Sequence, residues 1–150
     1  MINLSMKGFD VSREEFAKAM KDKLPKSFIT IGIHESKNVK PADSNQTIAE
    51  YAAENHFGKG RIPARPFLDV GVLSVRGKLQ RAIEDAFDRN VSDDVLWNRG
   101  GAIAVAGVKK YIRDLKYPPN APTTIQQKGS SNPLIDKGNM INAIDFEVHS

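Results

Sequence analysis

The stretch SDDVLWNRGGAIAVAGVKKYIRDLK, residues 92–116, decides the fold more than any other part of the chain. Ser92 is a good helix cap, and the two aspartates that follow it favour the positive end of a helix dipole. The positions that recur at helical spacing are Gly101, Val105, Val108, Ile112 and Leu115. We therefore predict one long helix here, with a thin middle rich in glycine and alanine.

The thin middle of this helix predicts a close contact with another backbone. Each interior glycine weakens a helix by about 1 kcal/mol relative to alanine, so a compensating contact is expected. The partner could be another helix of the same chain or a helix of a neighbouring subunit. Both alternatives fit the pattern, and the chain-internal contact is the more common one.

The elements on either side complete the expected fold. Alternating residues predict strands at 2–6, 28–34 and 146–148, and apolar spacing predicts helices at 12–23, 48–57 and 69–90. Ser44 or Thr47 can cap the second of these helices. The stripe expected on the helix at 69–90 comprises Leu79, Ala82, Ile83, Ala86 and Phe87. A further turn and short helix is expected over 134–144.

These elements indicate an α+β fold in a single domain, residues 1–150. We expect a small antiparallel or mixed sheet, built from both chain ends and packed with about four helices, two of them long. A proline- and serine-rich segment at about 117–133 shows no helical or strand periodicity, so we predict a long irregular loop there.

Composition excludes several classes of protein. The 150 residues contain no cysteine, which excludes disulfide scaffolds, thiol catalysis and zinc–thiolate sites. Mean hydropathy is −0.41, and no apolar run approaches the roughly 20 residues of a membrane helix. We therefore expect that the protein does not insert into a membrane and that it is synthesised in a cytoplasm.

The net charge of +4 is concentrated in residues 61–117, which hold eleven basic and seven acidic side chains. Four of the basic residues fall largely on one side of the long helix: Lys109, Lys110, Arg113 and Lys116. Such a stripe could contact phosphates, so a small basic nucleic-acid-binding protein is one alternative function. Asp114 interrupts the stripe, and a solvated helix face is the commoner explanation.

No set of residues predicts catalysis. His34, His56 and His149 are far apart in the sequence and lack metal-ligand spacing. Glu50 and Glu54, close to His56, are typical of a solvated helix face. Gly58-Lys59-Gly60 lacks the rest of a phosphate-binding loop and indicates a helix-ending turn. We expect no enzymatic activity, no cofactor and no metal.

Two segments stand out as motifs. The first is GRIPARPF, residues 60–67, and the second runs from PPNAPTTI, residues 118–125, through KGS, 128–130, to PLIDKG, 133–138. In order and spacing they resemble the tail completion or neck proteins of tailed bacteriophages, over roughly residues 45 to 148. The family usually has Thr where this chain has Lys137. The candidate interface or motif residues are Arg61, Pro63, Arg65, Pro66, Phe67, Pro119, Asn120, Thr123, Thr124, Lys128, Pro133, Leu134, Asp136 and Gly138.

The resemblance implies a structural virion protein that completes the tail and joins it to the head connector. It implies a ring of six or twelve subunits in the neck, assembled in the bacterial host cytoplasm. Partners would be the tail tube, the tail terminator or connector proteins, with at most non-specific DNA contact. A tail terminator, which caps the tail tube, is a close alternative.

The motif residues themselves suggest physical roles. Pro63 and Pro66 hold the first motif extended, so Phe67 is presented at a fixed place. Phe67 could plug the protein's own core while Arg65 pairs with a local carboxylate, or the rigid segment could border a subunit interface. The segment 118–133 is polar, and we expect it to be mobile in the free subunit and ordered in the assembly. Asp136 could cap the short helix that follows it.

Overall fold

The computed structural model of the protein describes residues 27–129, 131–135 and 137–150. The predicted strand at 2–6, the predicted helix at 12–23 and the proposed capping role of Asp136 therefore lie outside the described residues. The elements are β1 (Phe28–Gly32), a short 3-10 helix (Glu35–Lys37), α1 (Ile48–Phe57), α2 (Phe67–Leu73), α3 (Arg76–Asp88), α4 (Asp93–Asp114), α5 (Pro122–Lys128), α6 (Asn139–Ala143) and β2 (Asp145–His149).

The sheet confirms the α+β prediction. β1 and β2 pair antiparallel, with Ile31 opposite Phe146 and Phe28 opposite His149. Because side chains alternate between the faces of a strand, one face turns Ile31 and Phe146 towards α4. The opposite face carries Phe28 stacked on the ring of His149, with centroids 5.0 Å apart.

The glycines of α4 are contact points within the chain. A Cβ on Gly107 would lie 2.7 Å from the carbonyl oxygen of Gly71 in α2, and one on Gly101 would lie 2.3 Å from the ring of Phe146. Both distances are too short for a side chain, so glycine lets α2 and β2 approach the helix axis. The chain-internal alternative for the thin helix is confirmed.

The single helix expected at 69–90 is two helices, which corrects that prediction. α2 ends at Leu73 and α3 begins at Arg76, because Val75 leaves helical geometry with φ −110° and ψ 10°. The Ser74 hydroxyl donates to the Gly71 carbonyl at 2.6 Å, which closes the end of α2. The break lies beside α4, since a Cβ on Gly107 would be 2.8 Å from the Val75 side chain as well as 2.7 Å from the Gly71 carbonyl.

The predicted stripe of α3 is only partly a core stripe. Ala82 and Ala86 are buried, whereas Ile83 and Phe87 are 42% and 47% exposed. The periodicity was sufficient to place a helix but overstated how much of its apolar face the described residues bury.

The segment at 117–133 is not one irregular loop, which is a second correction. Residues Pro122–Lys128 form α5, with a proline in the first turn and Gly129 ending the helix in the left-handed conformation. Sequence periodicity did not reveal this helix because it is two turns long and buries none of its residues. With α2, α3 and α5 counted separately, the described part of the chain has six α-helices.

The core lies where α1, α2, α4 and α6 meet. Its largest fully buried side chains include Phe67, Ile112, Leu134 and Ile144. α1 begins at the predicted capping box, since Thr47 and Glu50 satisfy each other's backbone N–H groups. No helix among the described residues combines the length and apolar character that crossing a bilayer requires.

Candidate assembly site

Arg65 is the centre of the first motif, and it is almost completely buried, with 3% of its surface exposed. Its backbone N–H donates to the carbonyl of Asn55 at 2.8 Å, which fixes the extended motif against the last turn of α1. Phe67, two residues on, is fully buried in the core. The core-plug role of Phe67 is therefore confirmed.

The Arg65 guanidinium joins the two motifs. Its Nε donates to the carbonyl of Pro118 at 2.8 Å, and its Nη2 donates to the carbonyl of Pro119 at 3.1 Å and to Oδ1 of Asn120 at 3.3 Å. The fourth acceptor is Oδ1 of Asn55, 3.2 Å from Nη1. Segments that are more than fifty residues apart in sequence thus form one structural unit.

This geometry corrects the prediction that Arg65 pairs with a local carboxylate. All four acceptors are neutral amide oxygens, and no carboxylate contacts the guanidinium in the described part of the chain. Burial without a counter-charge lowers the pKa of Arg65 from its ordinary value. The planar fork of arginine suits this site because it satisfies several carbonyls at once.

Two asparagines that the sequence analysis missed complete the arrangement. Asn55 is buried, and its Nδ2 donates to the Tyr51 carbonyl at 3.0 Å, which turns Oδ1 towards Arg65. Asn132 donates to the carbonyls of Ile112 and Arg113 at the end of α4 and accepts two backbone N–H groups with its Oδ1. The only sequence signal for either residue was the position of Asn55, which lies one turn after Tyr51 on the apolar side of α1.

The other predicted motif residues divide into buried and exposed groups. Pro133 and Leu134 are buried in the core, and Gly138 takes a positive φ of 80° at the start of α6. Asn120, Thr124 and Lys128 are half-buried. The exposed ones are Arg61, Pro63, Pro66, Pro119 and Thr123. Tyr117, next to the second motif, is 79% exposed.

His56 does not belong to a solvated helix face, which corrects the prediction for that group. It is buried, its ring packs edge-on to Phe67, and its Nε2 lies 3.2 Å from Oδ2 of Asp69. Glu50 belongs to the α1 capping box, and Glu54 pairs with Lys59 at 2.5 Å. The residues after α1 form the predicted helix-ending turn, with Gly58 and Gly60 at positive φ.

Two of the histidines that are distant in sequence meet on the sheet. The Thr30 hydroxyl lies 2.9 Å from Nε2 of His34 and 2.8 Å from Nε2 of His149. A single hydroxyl can donate to one imidazole and accept from the other, so the pair links β1 to the end of β2. Within the described residues, no group of three or more His, Cys, Asp or Glu side chains could hold a metal ion.

The basic stripe on α4 is partly neutralised. Lys110 forms an ion pair with Asp114 one turn on. The hydrogen bond from Lys110, together with the nearby charges of Arg113 and Lys116, lowers the pKa of Asp114. This carboxylate therefore stays negative at neutral pH in the middle of the stripe.

Comparison with known proteins assigns this chain to no family. No protein-family model, no curated protein and no solved structure matches this chain.

Proposed function

We propose that this chain is a structural virion protein of a tailed bacteriophage, which completes the tail and joins it to the head connector as part of a ring of subunits. The observation that supports the proposal is the joining of the two motifs by Arg65. The resemblance rests on these two segments, and a buried guanidinium holds them against each other.

The chemistry of this unit suits docking. Its buried side supplies rigidity through Arg65 and Phe67, and its outer side presents prolines and Tyr117. Prolines and a large aromatic ring bind a partner with little further loss of conformational entropy. We propose that this outer side, which we call the ridge and which comprises Pro63, Pro66, Tyr117 and Pro119, contacts neighbouring virion proteins without a covalent step.

Electron microscopy of particles made without this protein tests the proposal. Separate filled heads and full-length tails are expected if the protein joins the two. Overlong tails would instead favour the alternative role of tail terminator. Normal infectious particles would contradict both roles.

A matched pair of substitutions links the phenotype to the ridge. Tyr117→Ser removes an exposed aromatic side chain next to the second motif, whereas Phe57→Ser removes one that is equally exposed on α1. We expect Tyr117→Ser to reduce the yield of joined particles and Phe57→Ser to leave it unchanged. The reverse pattern would place the contact elsewhere.

A DNA-binding measurement on the free protein distinguishes the proposed function from the nucleic-acid-binding alternative. The nucleic-acid-binding alternative predicts an affinity for DNA that falls steeply with added salt. It also predicts that Arg113→Glu and Lys116→Glu abolish this binding. Our proposal predicts no such binding at physiological ionic strength.

A further inference from the structure

Three donor atoms meet on the outer face of the sheet. In the register of β1 and β2, Phe28 lies opposite His149 and Thr30 lies opposite Glu147. Because opposite residues of an antiparallel pair share a face, all four belong to the face turned away from α4. The Thr30 hydroxyl lies 2.9 Å from Nε2 of His34 and 2.8 Å from Nε2 of His149. Two imidazole nitrogens and one hydroxyl oxygen are therefore close together, although the two histidines are distant in the sequence.

The spacing of these atoms resembles that of ligands around one metal ion. Zinc binds an imidazole nitrogen at about 2.0–2.1 Å, so neighbouring ligands of one ion are about 2.9–3.4 Å apart in octahedral or tetrahedral geometry. The two measured separations, 2.8 and 2.9 Å, lie close to the short end of this range. A small rotation of the rings therefore suffices to admit an ion between the three atoms.

The surroundings of the three donors favour a cation. The ring of His149 is held in place by stacking on Phe28, with centroids 5.0 Å apart. The carboxylate of Glu147 belongs to the same face and attracts a divalent ion. The positive charge of Lys37, in the 3-10 helix after β1, is compensated by its ion pair with Asp145.

We infer that His34, His149 and the Thr30 hydroxyl form a binding site for a divalent transition-metal ion of the kind that prefers imidazole, such as Zn²⁺, with water completing the coordination. One donor is a hydroxyl, so the site differs from a metal-holding cluster of three His, Cys, Asp or Glu side chains, which the described residues lack. The bound ion ties the residue that follows β1 to the end of β2. This site goes beyond the proposed function, since it requires no other virion protein.

The second nitrogen of His34 limits the affinity of this site. Nδ1 of His34 is buried and has no hydrogen-bond partner among the described residues. A metal ion on Nε2 places the ring proton on Nδ1, which leaves a buried donor unsatisfied. We therefore expect weaker binding than at a structural zinc site with four protein ligands. Mg²⁺ prefers oxygen ligands and should not bind here.

Titration calorimetry of the untagged full chain with Zn²⁺ tests the inference. We expect one ion per chain and a thermal midpoint that rises with the concentration of free Zn²⁺. His34→Ala and His149→Ala should each weaken binding at least about ten-fold. Thr30→Val removes the oxygen while keeping the shape of the side chain, and it should weaken binding by a smaller factor. The chain contains no cysteine, so no thiol competes for the ion.

Two controls separate this site from adventitious binding and from misfolding. Asp93→Asn changes an exposed carboxylate at the start of α4 and should bind Zn²⁺ as the wild type does. Nuclear magnetic resonance of the imidazole nitrogens in the wild type requires no variant to fold. Zn²⁺ should shift Nε2 of His34 and of His149 and leave the ring of His56 unchanged. A wild type that does not bind Zn²⁺, undiminished binding in both histidine variants, or shifts confined to His56 would overturn the inference.

Discussion

Arg65 shows how one residue can organise segments that are distant in sequence. Pro63 and Pro66 hold the backbone around Arg65 extended, and the buried guanidinium donates hydrogen bonds to three residues of the second motif. The unpaired cation is tolerated because four amide oxygens replace the water it loses. The site therefore depends on the shape of arginine as well as on its charge.

Replacing Arg65 with Lys should destabilise the protein by about 2–4 kcal/mol. Lysine keeps the charge but cannot reach the forked set of acceptors, which leaves buried carbonyls unsatisfied. Urea denaturation measures the change in unfolding free energy. Arg61→Lys, at an exposed position four residues earlier, is the control and should have almost no effect. Equal losses in the two variants would contradict the role assigned to Arg65.

Glycines of α4 should respond oppositely to the same substitution. Gly107→Ala should destabilise by about 1–3 kcal/mol, because the new Cβ meets the Gly71 carbonyl at 2.7 Å and the Val75 side chain at 2.8 Å. Gly100→Ala should be neutral or stabilising by up to about 1 kcal/mol, since the nearest atom is 4.0 Å away. Thermal or urea unfolding gives both values. Stabilisation by both substitutions would show that helix propensity, not the contact, decides.

At the scale of elements, the short sheet is secured by side chains as well as by its ladder. Lys37, in the 3-10 helix after β1, pairs with Asp145 at the start of β2. Thr30, in the middle of β1, links His34, which follows β1, to His149 at the end of β2. Five residue pairs make a marginal sheet, so these links and the packing on α4 hold it in place.

Acid should loosen this sheet. The hydrogen bond from Lys37, and the N–H of Phe146, hold the pKa of Asp145 below its ordinary value. A carboxyl with a depressed pKa stabilises the fold above its unfolded pKa of about 4 and loses that contribution as pH falls through the folded pKa. Unfolding free energy should therefore decrease below about pH 4.

Asp145→Asn provides the comparison for this pH dependence. Asparagine cannot ionise, so the variant should be less stable at pH 7 and should lose less stability on acidification. Chemical denaturation at several pH values checks both points. A variant with the same acid response as the wild type would exclude Asp145 as the cause.

At the scale of the whole molecule, the second motif differs from the core to which Arg65 ties it. α5 buries none of its residues, whereas α4 buries six. Backbone hydrogen bonds that are open to solvent break more readily than buried ones. The outer part of this segment is therefore suited to becoming ordered against a neighbour.

Amide hydrogen exchange should show this difference. We expect the amides of α5 to exchange faster than those of Val108 and Ile112 in the free subunit, and to become protected in the assembly that we propose. Exchange on free and assembled protein gives the comparison, with α4 as the internal reference. Strong and equal protection of α5 in both states would contradict the expectation.

The sequence alone determined those helices, strands and turns whose causes lie within a few neighbouring residues. The capping box at Thr47, the helix of residues 93–114, the strands Phe28–Gly32 and Asp145–His149, and the turn at Gly58 follow from side-chain spacing and from the backbone freedom of glycine. These interactions span only a few residues, so a window of sequence contains all their causes.

The tertiary structure alone decided which distant residues meet. It placed Arg65 on the carbonyls of the second motif, brought His34 and His149 to one hydroxyl, broke the helix at Val75, and left Ile83 and Phe87 of α3 partly exposed. Each outcome depends on which surfaces pack together and which are buried in doing so. That information lies in contacts between segments up to more than a hundred residues apart, and no local pattern contains it.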